Sequence, residues 1–263
     1  MELDIYVVDA FTDTQFKGNS AAVVPIEEWL SPELMQSIAT ENNLSETAFL
    51  KSIGANQYEI RWFSPITEID FCGHATLASS LVLLDELGIS DTIEFHTQEV
   101  GTLTVEKNAQ GKIEMTFPAR PPKAVSDIPS ALIEGLSCDV ERVLLSPQAY
   151  FVVVNSQKEV LEVQYRSEHL KTLSPYDVVV TAKGDQQDFV SRYFWPANGG
   201  DEDPVTGSIH AGLAPFWAEE LGKTSLVAYQ ASQRGGILHC EVNGEQVRVS
   251  GDGVLYMKGK IFV

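Results

Sequence analysis

The 263-residue sequence predicts an α+β fold of two pseudo-symmetric half-domains, each a curved, mostly antiparallel sheet wrapped around a central helix. Three observations predict it: a collinear internal repeat, two helical stretches of equal length closed by glycine, and alternating strand-like segments after each helix. In the repeat, Arg61-Trp62-Phe63-Ser64-Pro65 reads like Arg192-Tyr193-Phe194-Trp195-Pro196. Further on, Phe95, Gly101, Leu103, Ile113 and Met115 fall opposite Tyr229, Gly235, Ile237, Val247 and Val249. Matches that keep one order along both halves are the mark of a duplicated unit.

The elements follow in chain order. Residues 31–40 read as a helix, and an apolar strand starts close to Glu46. Gly73-His74 opens a helix that runs to Asp85-Glu86-Leu87-Gly88. Its counterpart runs from Gly207-Ser208 to Glu219-Glu220-Leu221-Gly222, with the same spacing between the glycines. Glycine suits the left-handed position that closes a helix. The first of these helices is apolar nearly all round (Ala75, Leu77, Ala78, Leu81, Val82, Leu83, Leu84), which predicts burial. Thr102-Leu103-Thr104-Val105 and Lys112-Ile113-Glu114-Met115 alternate as strands do. Asn108-Ala109-Gln110-Gly111 and Asn243-Gly244 supply hairpin turns. Ala119-Arg120-Pro121-Pro122 reads as the connector between halves. The expected half-domains are residues 1–118 and 119–252, with 253–263 returning to the first as its last strand. They are expected to superpose about an approximate two-fold axis.

Composition narrows the class. Apolar residues make up 44% and charged residues 21%, as in a soluble globular protein. The formal charge of −19 repels phosphate backbones, so no nucleic-acid partner is expected. Met1-Glu2-Leu3-Asp4 has no basic or apolar leader character, and the least polar run, residues 75–84, is half a membrane span. Cys72, Cys138 and Cys240 are too few and too scattered for a disulfide framework or a zinc cluster. A cytoplasmic protein with no membrane partner is expected.

So acidic a chain needs a local positive site to hold an anion. Unpaired N–H groups and the positive end of the macrodipole at the two helix starts supply one. Facing each other, Gly73-His74 and Gly207-Ser208 would bind a carboxylate without arginine. Ser208 alone reads equally well as an ordinary N-cap. Glu46 reads by itself as a turn carboxylate, His74 as a structural histidine, and Asp201-Glu202-Asp203 as charges that complement a helix dipole.

A resemblance weights these groups differently. From end to end the chain resembles the PhzF-like family of phenazine biosynthesis. The residues that carry it are Asp9-Ala10-Phe11-Thr12, Phe16-Lys17-Gly18-Asn19-Ser20-Ala21-Ala22-Val23-Val24, Asn43-Leu44-Ser45-Glu46-Thr47-Ala48-Phe49, Arg61-Trp62-Phe63-Ser64-Pro65, Phe71-Cys72-Gly73-His74-Ala75-Thr76 and Gly200-Asp201-Glu202-Asp203-Pro204-Val205-Thr206-Gly207-Ser208. The resemblance implies the diaminopimelate-epimerase-like fold and an isomerase with its acid/base site in the cleft between halves. It implies Glu46 as the catalytic acid/base, assisted by His74 and Asp203. Gly73, Gly207, Ser208 and Asn19 would bind a small carboxylate substrate. The family's best-understood activity shifts a proton between carbons of a hydroxylated dihydroanthranilate. A homodimer is the expected assembly.

The same fold hosts racemases and epimerases that use one thiol on each face of a carbon. Here Cys72 occupies the first thiol position and Pro204 the second, and proline cannot carry a proton. Cys72 is therefore read as a packing residue. A single glutamate can take a proton from one carbon and return it to another, best with a pKa near neutrality, which burial and Asp203 would promote. No nucleotide loop, metal-ligand spacing or lysine-based cofactor motif is present, so neither cofactor nor metal is expected. Two alternatives remain open: a racemase or epimerase of the same fold, and a non-catalytic protein that binds a small carboxylate. Tyr150, Phe194 and Trp195 are candidate pocket walls.

Overall fold

A computed structural model describes residues 1–90, 92–140 and 142–263. The chain divides into two compact units, Met1–Thr116 with Ser250–Val263, and Phe117–Val249. Its elements begin with β1 (Glu2–Ala10), β2 (Asn19–Ile26), α1 (Pro32–Asn42), β3 (Glu46–Gly54), β4 (Gln57–Phe63), β5 (Glu68–Ile69), α2 (Gly73–Leu81), β6 (Ile93–His96), β7 (Thr102–Lys107) and β8 (Ile113–Pro118). There follow β9 (Lys123–Ala124), α3 (Ser130–Gly135), β10 (Arg142–Leu145), β11 (Ala149–Val153), α4 (Gln157–Glu162), α5 (Ser167–Leu170), β12 (Asp177–Lys183), β13 (Phe189–Phe194) and β14 (Glu202–Asp203). The chain ends with α6 (His210–Leu221), β15 (Ser225–Gln230), β16 (Gly236–Asn243), β17 (Gln246–Gly251) and β18 (Gly253–Phe262).

In the first unit β1 and β2 pair antiparallel, β2 and β3 parallel, β3 and β4 antiparallel, β4 and β6 parallel, and β6 and β7 antiparallel. In the second, β10 through β13, then β15 and β16, repeat that series of senses in order. Residues matched in the sequence repeat occupy matched places: Phe95 lies opposite Leu103, and Tyr229 opposite Ile237. Each Arg-x-Phe motif makes the same contacts. Arg61 grips Glu68 through two nitrogens (2.6 and 2.7 Å), and Arg192 grips Glu202 likewise (2.7 and 2.9 Å). β18 runs antiparallel to β1, with Leu3 opposite Ile261.

The period-2 alternation of the strands decides what faces each helix. In the first unit one face carries Ile5, Val7, Ala22, Val24, Phe49 and Phe63, packed on Met35, Ile38 and Ala39 of α1. Residues of opposite parity, including Asn19 and Glu46, lie on the other face, the side of α2. Every residue of α2 is buried, as its all-round apolar sequence requires. The helix then widens into a π-helical turn over Val82–Glu86 before Gly88. In the second unit Val152, Val178, Val180, Val190 and Phe194 face the small helices. The opposite parity meets α6, where Trp217 donates to Thr181 Oγ1 (2.9 Å) and stacks on Phe189. Phe194, a candidate pocket wall, is instead core. It has no exposed surface and packs on Tyr165, because its parity points it at the small helices.

The second helix of the repeat starts later than expected, at His210 rather than at Gly207-Ser208. The histidine itself is the cause. Its Nδ1 lies 2.9 Å from the Thr206 carbonyl, the acceptor that its own backbone N–H would use in an α-helix. That N–H turns instead to Gly207 O (3.2 Å), and residues 207–209 close as a tight turn. Pro215 inside α6 likewise leaves the Ala211 carbonyl without its helical donor. The Arg120 N–H supplies the bond (2.8 Å), which ties the proline-rich segment to this helix.

Gly18, just before Asn19, has φ +63, and a Cβ there would sit 2.1 Å from the Ala10 carbonyl oxygen. Gly18→Ala is expected to cost more than about 1 kcal/mol in urea unfolding, since both the dihedral and the contact oppose a side chain.

Candidate active site

In the first unit, strand parity and the start of α2 bring four expected residues together. Glu46 opens β3 and Asn19 opens β2, both on the α2 side, while Gly73 and His74 form the first turn of α2. Glu46, His74 and Asn19 are buried. Glu46 Oε2 lies 2.7 Å from His74 Nε2. The two groups are close enough for the ring's Nε2–H to reach the carboxylate. Asn19 Nδ2 stands 3.2 Å from His74 Nδ1, and Cys72 Sγ stands 3.3 Å from the same nitrogen. An amide nitrogen only donates, so this arrangement makes Nδ1 an acceptor and puts the proton of a neutral ring on Nε2, facing Glu46. Cys72, expected to be simple packing, thus touches the histidine. It also precedes α2 without capping it by its side chain.

Burial by itself would depress His74. The charges of Cys72 and Glu46, with hydrogen bonds to both, more than offset it and raise the imidazole well above its usual range. Burial, reinforced by the Glu46 charge, pushes the Cys72 thiol up to about 11. A thiol that holds its proton at neutral pH lends no charge, so Glu46 is the partner that raises His74 there. Glu46 and His74 thus form a buried, closely coupled acid/base pair. Glu46, Cys72 and His74 also place three possible metal-ligand atoms within 4.8 Å of one another.

In the second unit, Asp203 lies in β14 opposite Tyr193, and its Oδ2 accepts from Thr206 Oγ1. Gly207 and Ser208 follow in the turn ahead of α6, and neither helix start has a side-chain cap. Ser208 is not an N-cap: its Oγ accepts from Gln148 Nε2 (3.0 Å). The other proton of that amide goes to Tyr193 Oη (2.9 Å), and Tyr193 donates to Asp177 Oδ2. Burial raises the pKa of Asp177, against bonds from Tyr193 and Asn198. Gln148 thus donates to both Ser208 and Tyr193, and Tyr193 to Asp177, so Ser208 accepts in this network and keeps its own O–H to donate.

Sequence reasoning missed these supporting groups. Gln230 is fully buried, and it accepts from Thr206 N (2.9 Å) and donates to Asp203 O (2.9 Å), fixing the Asp203–Thr206 loop. Its signal was present: in Ser225–Gln230 the buried positions are Leu226, Ala228 and then a glutamine. Trp195, the other candidate wall of this loop, lies against Gly200.

Comparison with known proteins bears on this arrangement. The sequence pattern of phenazine biosynthesis-like proteins (PhzC-PhzF) matches residues 8–259. An uncharacterized isomerase of Pseudomonas aeruginosa is 46% identical, over 99% of each chain. The crystal structure of a phenazine biosynthesis protein of the PhzF family from Enterococcus faecalis superposes with a TM-score of 0.94 at 41% identity, covering 100% of both chains. A hydroxyproline epimerase from Agrobacterium vitis shares the fold alone, with a TM-score of 0.61 at 9% identity over 99% of this chain and 92% of that one. The architecture is therefore the epimerase-like fold. Among the described residues no helix is long and apolar enough to cross a membrane.

Proposed function

The chain belongs to the phenazine biosynthesis-like (PhzC-PhzF) family and is an isomerase, and from that premise we propose that it moves a proton within a small carboxylate substrate by cofactor-free general acid/base catalysis at Glu46. The observation that carries this reading is the buried Glu46 carboxylate, 2.7 Å from His74 Nε2. Such a group can take a proton from carbon and return it. The His74 ring, whose Nε2 faces the carboxylate, steadies the charge that develops as the proton leaves. Asp203 is the proposed second assisting group. Gly73, Asn19, Gly207 and Ser208 are the proposed substrate-binding residues, the first and third through backbone N–H groups beside uncapped helix starts. A two-thiol racemisation finds no second thiol, since Pro204 stands in the loop where one would be needed and Cys240 is buried in β16.

The test is a screen of small unsaturated and amino carboxylates in D2O, read by NMR. An isomerase washes solvent deuterium into its ligand, whereas a non-catalytic binding protein shifts resonances without exchange. Binding without exchange across the panel would count against catalysis.

The polarity of the Ser208 network gives a second expectation. Gln148→Leu keeps the bulk but frees the Ser208 hydroxyl to rotate. It should cost about 1 kcal/mol of ligand binding, close to fivefold in KM, with kcat little changed. An unchanged KM in the exchange assay would remove Ser208 from the binding groups.

A further inference from the structure

The trio at the first unit's site has a chemistry that proton transfer does not use. Cys72, His74 and Glu46 are only 6%, 4% and 7% exposed, yet three donors of metal-ligand type converge there. Cys72 Sγ lies 3.8 Å from His74 Nε2, and Glu46 Oε2 lies 2.7 Å from that nitrogen. A tetrahedral zinc ion holds sulfur at about 2.3 Å and nitrogen or oxygen at about 2.0–2.2 Å, which sets neighbouring ligands about 3.3–3.6 Å apart. The sulfur–nitrogen spacing of 3.8 Å needs to close by only about 0.2 Å. The oxygen–nitrogen spacing of 2.7 Å needs to open by at least about 0.6 Å, which a glutamate side chain supplies by rotation.

We propose that Glu46, Cys72 and His74 form a binding site for a soft divalent cation of the zinc type, which occupies the proton-transfer position and blocks it. Binding releases the thiol proton to solvent, and the imidazole binds through Nε2 with its one proton moved to Nδ1, where the Asn19 amide turns to accept it. A thiolate and a carboxylate then balance the two positive charges, and neutral imidazole completes the set. Magnesium and calcium prefer oxygen ligands, and this trio offers only one carboxylate, so they are excluded. The chain's formal charge of −19 concentrates cations around it. The block of turnover rests on the proposed function; the binding does not.

The two parts are tested separately. Full-length protein, freed of metal with chelator, is titrated with Co2+ and followed for thiolate-to-cobalt charge-transfer absorption, then with Zn2+ by calorimetry. One equivalent of Zn2+ should bind, the cobalt–thiolate band should appear, and Mg2+ should produce neither signal. Cys72→Ala should abolish the band and weaken Zn2+ by at least about tenfold, and His74→Gln should weaken it comparably. A variant with Cys138→Ser and Cys240→Ala should behave as the parent. Circular dichroism checks that each variant is folded. A flat Zn2+ isotherm, or a band that survives Cys72→Ala, overturns the site. If zinc binds as expected but leaves deuterium exchange untouched, the placement of the proton-transfer pair is wrong and the metal site stands.

Discussion

Glu46→Gln is expected to lower turnover by at least about 10²–10⁴-fold while leaving the fold intact, the range over which a positioned general acid/base acts. Glutamine matches glutamate in shape, and the strand pairing of residue 46 with Ala21 is through backbone, so β3 should keep its register. What the substitution removes is a proton acceptor and the charge that sustains His74. Burial then acts on His74 with less opposition, so its imidazole should titrate lower in Glu46→Gln than in the parent. An NMR titration of His74 reads this without any substrate. Deuterium exchange on one ligand reads the loss of turnover. Cys72→Ser is the contrasting variant. A serine hydroxyl can still approach His74 Nδ1, and the parent thiol, pushed up to about 11, is a poor proton carrier at neutral pH. Most activity should survive. An active Glu46→Gln beside a dead Cys72→Ser would assign the proton to sulfur and leave only the fold of the present reading.

The duplication was legible because it is written in residue types that local structure demands. Gly88 and Gly222 both take positive φ, as do Gly101 and Gly235, so the repeat of glycines in sequence is a repeat of backbone shape. The paired arginine motifs were legible for the same reason, since a bidentate ion pair fixes both partners. Glu46, His74 and Asn19 could be named from the sequence. That they meet follows from strand parity: residues 19 and 46 both oppose the face that packs on α1, and the residue at the start of α2 is waiting on the other side. The supporting shell was not legible. Gln148, Tyr193 and Asp177 lie on separate segments, and only the pairing of β11, β12 and β13 joins them. The late start of α6 was missed because a side chain, not a propensity, takes the Thr206 carbonyl. The contact of Cys72 with His74 was missed because a small thiol before a helix looks the same whether it packs or bonds.

His210 makes the stability of the protein pH-dependent with a sign that can be fixed in advance. It is fully buried, its Nδ1 meets the Thr206 carbonyl, and its Nε2 has no partner. Burial lowers its pKa from 6.5 to about 4, against the opposing bonds to Thr206 and Gly207. An unfolded chain binds this proton near pH 6.5, whereas the native chain refuses it until about pH 4. Between those values the unfolded state holds more protons, so stability falls as pH falls. At about 1.4 kcal/mol per pH unit the full loss is about 3 kcal/mol, complete near pH 4 and absent above about pH 7. Carboxylates titrate in the lower part of the same window, so the parent alone does not isolate the histidine. His210→Asn does, because its amide nitrogen can replace Nδ1 as donor to Thr206 but does not titrate. Urea unfolding of both proteins across this range should show the variant losing about 3 kcal/mol less than the parent on acidification. Parallel pH profiles for the two proteins would show that His210 is already charged in the native state, and that the Thr206 turn is held by something other than a neutral ring.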